Sequence, residues 1–218
     1  MRPLTDCLPE FRIHCPNAPE PVALNMLRQA ASDFCHQTRC WREVSEVSFI
    51  NEALRLTPAY QSLVAIEWAH VTGQPWNTLT PIIFTDTVGE GYNSSTIPRY
   101  ITQQNTQEVI PHPFRDRTSG SAPFNVTISY WIKPNRVPSY GIDADTQNQL
   151  PDHVIEEHCD VIAQGALARA FMVRDESLFD PERAAVAMSL YKNGVAGASD
   201  LYIRGNQRAK PRVTGHFM

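Results

Sequence analysis

The hydrophobic pattern changes period twice along the chain, and that change limits the fold more than any other feature. Between about Pro21 and Trp41 the inward positions are Leu24, Leu27, Ala31, Phe34, Thr38 and Trp41, three and four residues apart. That spacing is one buried stripe on a helix of about five turns. Pro19 and Pro21 suit its start, where a missing N–H costs nothing. Short runs rich in β-branched and aromatic residues follow at 44–49, 53–57, 63–71, 82–85, 99–102 and 125–133. Alternation is clearest at Phe124, Val126, Ile128, Tyr130 and Ile132. The breaks carry turn chemistry: Asn51-Glu52, Thr57-Pro58, Thr72-Gly73, residues 89–91, and residues 116–123 around Gly120. No helical pattern separates these runs, which predicts antiparallel strands, five or six of them, rather than βαβ units.

After Pro151 the period returns to 3.6. Asp152 is placed to cap a helix to about Arg174, with Ile155, Cys159, Ile162, Ala166, Ala170 and Val173 on one face. Ala163, Gly165, Ala166, Ala168 and Ala170 leave that helix almost free of bulk, which lets another helix approach closely. Asp180-Pro181-Glu182 starts the last helix with an N-cap, a proline in the first turn and an acid near the positive end of the dipole. Its inward positions are Ala184, Ala187, Met188, Tyr191 and Val195.

The expectation is therefore an α+β chain. A three-helix bundle, one N-terminal and two C-terminal helices, carries an inserted antiparallel β-module and extended termini. In residues, 1–18 is an extended N-terminal arm interrupted by Pro3, Pro9 and Pro16. Residues 19–42 and 151–200 form the helical bundle, 43–150 the inserted β-domain, and 201–218 a basic C-terminal tail.

At 218 residues such a chain buries roughly 70–75% of its unfolded surface and needs no staples. With 42% hydrophobic and 19% charged residues it is not disordered, collagen-like or a coiled coil. No apolar run reaches the roughly 18 residues of a membrane span. The polar, proline-broken start does not read as a secretory signal. Five cysteines without a CxxC pair argue against a closed disulfide framework and fit a reducing compartment. Charge is unevenly spread. The chain has 19 basic and 23 acidic residues, and Arg204, Arg208, Lys210 and Arg212 lie beyond residue 200 with no acid beside them. The first 200 residues thus carry 15 basic and 23 acidic groups, a net charge of −8. Only Lys133, Lys192 and Lys210 are lysines; the other basic residues are arginines, which favour ordered pairing with carboxylates.

Motifs for chemistry are scarce. There is no GxGxxG, no phosphate-binding lysine loop, no GxSxG and no HExxH. His153-Val-Ile-Glu156-Glu157-His158 comes closest to a metal site, but a spacing of five turns the second imidazole roughly 140° from the first on a regular helix. Glu156, Glu157 and Asp160 are general-acid candidates and equally what a helix start favours. Cys35 and Cys159 fall on apolar stripes as small core residues. Asn93 and Asn125 open glycosylation-type triplets in a chain with no sign of secretion. Trp68, Trp76 and Trp131 fall in the β-module as core or sheet-face residues rather than base-stacking platforms. The expectation is a protein with no catalytic residues, metal or cofactor.

Several stretches, taken in order, resemble one family. They are Pro19-Glu20-Pro21-Val22-Ala23-Leu24, Leu27-Arg28-Gln29-Ala30-Ala31, Asp33-Phe34-Cys35 and Trp41-Arg42, then Tyr100-Ile101-Thr102-Gln103 and Ile110-Pro111-His112-Pro113. Trp131-Ile132-Lys133-Pro134-Asn135-Arg136, the run from Ile162 to Arg169, Phe179-Asp180-Pro181-Glu182 and Tyr191 complete the set. The chain is in these respects similar to the head-to-tail adaptor (connector) proteins of tailed bacteriophages, especially short-tailed ones, over most of residues 15–200. Residues 78–98 have no match in that pattern. The resemblance implies a virion protein made in the host cytoplasm and placed at the head–tail junction. It implies a homo-oligomeric ring, typically of twelve copies, between the portal and the tail, nozzle or tail-fibre proteins. Genomic DNA would pass through the ring without sequence-specific binding, and no membrane is involved. Arg204, Arg208, Lys210 and Arg212, with Phe217, are then candidates for docking on the portal. A tail-completion or tail-tube subunit is the alternative, and a metal-dependent enzyme built around His153 and His158 a more distant one.

Overall fold

The computed structural model of the chain describes residues 1–49, 54–82, 99–112, 124–173 and 178–204. Arg2–Pro3 (β1) pairs antiparallel with Gln149–Leu150 (β9). A 3₁₀ turn, Leu4–Cys7, then leads into Leu8–His14 (α1). Glu20–Thr38 (α2) buries Leu27, Ala31, Phe34 and Thr38. Seven strands follow: Arg42–Phe49 (β2), Leu54–Arg55 (β3), Gln61–Val71 (β4), Gln74–Ile82 (β5), Tyr100–Gln103 (β6), Glu108–His112 (β7) and Phe124–Pro134 (β8). The short Ala144–Gln147 (α3), capped by the Asp143 carboxylate, leads through β9 to Asp152–Ala170 (α4) and Pro181–Arg204 (α5).

The seven strands form one mixed sheet in the order β2-β8-β4-β5-β6-β7-β3. β8 is buried at Val126, Ile128, Tyr130 and Ile132, with β2 on one side and β4 on the other. Beyond β5 the sheet curls back on itself. The Leu63 N–H of β4 donates to the Thr106 carbonyl in the β6–β7 turn at 2.6 Å, and Leu56 N–H donates to Gln107 carbonyl at 2.8 Å. The Gln107 side-chain amide adds a bond to the Gln61 carbonyl at 3.1 Å. The result is a nearly closed, barrel-like sheet.

This architecture replaces the expected three-helix bundle with an inserted antiparallel module. The sheet is the larger element, and β5 runs parallel to β6, with Thr80 opposite Tyr100 and Ile82 opposite Thr102. Parallel neighbours need a connection of a dozen or more residues, and the stretch from 83 to 99 has that length. β5 and β7 were hidden by Pro75, Pro81 and Pro111, residues that normally mark the end or edge of a strand. The expected strand at 82–85 lies, past Ile82, outside the described residues, as do the turns at 51–52, 89–91 and 116–123.

The first 18 residues are not an extended arm either. Pro9 sits in the first turn of α1, where proline is tolerated, and Pro16 follows the end of that helix. Leu4, Cys7, Leu8, Phe11 and Cys15 are all buried. Cys7 is disulfide-bonded to Cys159 on α4, with Cα atoms 5.4 Å apart, so the chain does carry a covalent staple. α1, α2, α4 and α5 form the helical layer, and α2 lies against β8. One buried cluster runs from Leu4 and Phe11 through Leu27 and Phe34 to Ile128 and Ile132. At the seam, Asp33 of α2 accepts from both Arg136, beyond β8, and Arg169 of α4. α5 extends to Arg204, so the basic residues beyond it, with Phe217, lie outside the described residues.

Candidate functional site

Helix α5 packs on α4 through missing side chains. A Cβ on Gly165 would lie 2.7 Å from the Tyr191 ring, and one on Gly194 would lie 2.6 Å from Val161. The Tyr191 hydroxyl donates to the Ala30 carbonyl of α2 at 3.3 Å, so one ring ties three helices. Burial raises its pKa.

On the outside of this packing runs a groove of ≈ 570 Å³, lined by Gln164, Leu167 and Phe171 of the α4 end and by Arg183, Val186 and Leu190 of α5. His14, at the end of α1, and Glu182 complete its polar rim. A smaller recess of ≈ 250 Å³ shares His14, Phe171 and Arg183 and continues past Cys15 and Pro16 to Phe179. Val186 is 62% exposed, Leu190 52% and Phe179 50%. Val186 and Leu190 stand four residues apart on α5, off the buried stripe of Ala184 and Tyr191, with Ala187 between them at the groove floor. Sequence reasoning passed over them, although a second apolar pair off the main stripe of a helix is a readable signal. The groove brings together packing surface and a few charges at its edge; the ionisable side chains lining it are His14, Glu182 and Arg183.

The His153–His158 cluster is arranged differently from a regular helix. His158 has φ −135° and ψ 15°, a kink that breaks the 3.6-residue repeat. Both imidazoles therefore face Tyr202 of α5, with ring centroids 6.2 Å and 5.8 Å away. The Tyr202 hydroxyl is 3.3 Å from His158 Nε2, and the His158 ring also packs on Phe34. Burial lowers the His158 pKa against the opposing pull of Glu157 and Asp160. His153 Nε2 lies 3.2 Å from the Cys40 carbonyl. Glu156 pairs with Arg2 at 3.0 Å, and Asp152, in the first turn rather than at the cap, pairs with the Met1 amino group at 2.7 Å. Among the described residues no three His, Cys, Asp or Glu side chains are grouped to hold a metal ion.

A third surface lies on the outer side of the sheet. Trp68 stacks on His70, the Arg39 guanidinium sits 5.0 Å from the centre of the Trp131 ring, and Trp76 on β5 is 79% exposed. Arg42 pairs there with Glu67 at 2.7 Å, and Ser129 donates to the same carboxylate. Arg39 and Arg42 are thus matched by a ring and an acid respectively. Of the portal-docking candidates only Arg204 falls within the described residues, as the last residue of α5; Arg208, Lys210, Arg212 and Phe217 lie outside them. Among the described residues no helix is long and apolar enough to cross a membrane. No family model matches the chain, and no curated protein does either.

Proposed function

We propose that the chain is a structural subunit of a tailed-phage virion, an adaptor that assembles as a ring between the portal and the tail or nozzle. The observation that carries this is the α4–α5 groove, with Val186, Leu190 and Phe179 open to solvent beside it. Exposed apolar surface with a polar rim marks sites of protein contact. The order and spacing of the family-like stretches across residues 15–200 support the adaptor role within that class. An acidic body of net charge −8 suits a wall along which DNA slides, because each neutralised phosphate strengthens adhesion. The basic residues Arg208, Lys210 and Arg212 supply the complementary charge for an acidic portal surface.

The test mixes the purified full-length protein with portal particles and images them. A single symmetric ring on the portal is expected. No ring overturns the assignment, and a polymer of stacked rings reassigns the chain as a tail-tube subunit. Deleting residues 205–218, which leaves α5 whole, is expected to weaken attachment while the monomer stays folded.

A further inference from the structure

The end of α2 brings two thiols together by backbone geometry. Arg39 adopts the left-handed conformation at φ 54°, and its N–H donates to the Cys35 carbonyl at 3.0 Å. A helix stopped in this way turns the chain back over its own last turn. Cys40 Sγ consequently lies 3.6 Å from Cys35 Sγ. Both cysteines are free and buried, Cys35 completely and Cys40 with 4% of its surface exposed. The third free cysteine, Cys15, belongs to the end of α1. The chain holds a disulfide elsewhere, between Cys7 and Cys159, so surroundings that keep that bond closed also act on a second pair of adjacent sulfurs.

We propose that Cys35 and Cys40 are a modification site, a dithiol that a low-molecular-weight disulfide of the glutathione class oxidises to a second intramolecular disulfide across the joint between α2 and β2. Cys40, the more exposed sulfur, loses its proton and attacks one sulfur of the carrier, which releases one carrier thiol. Cys35 then loses its proton, attacks the Cys40 sulfur of the mixed disulfide and releases the second carrier thiol. Two protein thiols are oxidised and one carrier disulfide is reduced to two thiols. Hydrogen bonding to Cys35 and Thr38 favours the Cys40 thiolate, whereas the contact with Cys40, then burial, pushes the Cys35 thiol well above its usual range. That ordering assigns attack to Cys40 and resolution to Cys35. A local opening of the end of α2 gives the carrier its access. The bond would hold Arg39 in its left-handed conformation, with its guanidinium over Trp131. The inference is independent of the ring assignment.

The test equilibrates the full-length protein with mixtures of reduced and oxidised glutathione, quenches in acid, unfolds, alkylates with N-ethylmaleimide and digests with trypsin. Trypsin cuts after Arg28, Arg39 and Arg42, so the two cysteines fall in separate peptides, 29–39 and 40–42. At the oxidising end the alkylated set is expected to fall from the three free cysteines to Cys15 alone, with peptides 29–39 and 40–42 recovered as one disulfide-linked pair. In Cys40→Ser that pair is expected to vanish and Cys35 to be alkylated at every ratio. Alkylation of both Cys35 and Cys40 at every ratio, with Cys7–Cys159 still closed, would overturn the proposal. Recovery of either one joined to Cys7, Cys15 or Cys159 would overturn it equally.

Discussion

Two glycines on the C-terminal helices face different surroundings, and alanine tests the difference. At Gly165 an added Cβ meets the Tyr191 ring at 2.7 Å and the Ala30 Cβ at 3.1 Å; at Gly197 it meets nothing within 4 Å. Alanine is worth about 1 kcal/mol over glycine inside a helix, so Gly197→Ala is expected to stabilise by up to that amount. Gly165→Ala is expected to cost about 1–3 kcal/mol, because a tightly packed core has to shift. Denaturant midpoints of the two variants should move in opposite directions. His158 supplies a second residue-scale test. Burial holds its folded pKa below the ordinary 6.5. As pH falls through that value the unfolded chain takes up a proton that the folded one refuses, so stability is lost on acidification. The midpoint of the native protein should drop between about pH 7.5 and 5.5. His158→Gln should show a shallower slope over the same range, whatever its stability at pH 7.5.

At the scale of elements, the disulfide fastens the N-terminal turn to α4 across 152 residues of sequence. Loss of a bond closing so long a loop costs about 2–5 kcal/mol. Cys7→Ser and Cys159→Ser are each expected to lower stability by that order in urea unfolding, and the double variant by no more than either single one. This pairing was not readable beforehand, because five cysteines without a motif spacing admit many partners. The elements themselves were readable where one pattern dominated. The stripe through Leu27, Ala31 and Phe34 marked α2, Asp180-Pro181 marked the start of α5, and alternation marked β8. Proline misled in two ways. In residues 1–18 it suggested an arm, although Pro9 occupies the one place in a helix that accepts it. In β5 and β7 it concealed strands that pair all the same, Pro81 opposite Ile101 and Ile101 opposite Pro111. The parallel pairing of β5 with β6 leaves no local mark, since it is decided by how the sheet curls. The candidate groove was only half visible: the small residues of α4 announced a close neighbour, but not the face which that neighbour turns outward.

For the molecule as a whole, the proposed role of the groove along α5 is tested by separating folding from assembly. Val186 and Leu190 are largely exposed, so Val186→Asp with Leu190→Asp is expected to lower the monomer's stability by no more than about 1 kcal/mol per site, through helix propensity and like charges four residues apart. Ring formation on portal particles should be lost in the same variant, as read by electron microscopy. A stable monomer that still forms rings would show that copies meet elsewhere.

The strand order has a consequence for synthesis. β2 is complete at Phe49, yet the strand it pairs with, β8, begins at Phe124. At ordinary elongation rates of about 5–20 residues per second, that partner emerges roughly 4–15 s later. β4 waits for the same strand along its other edge. The nascent chain therefore spends seconds with the edges of β2 and β4 that face β8 without their native partner. Its demand on the cell's chaperones falls before the barrel closes, and any slowing of translation between residues 50 and 124 lengthens the interval.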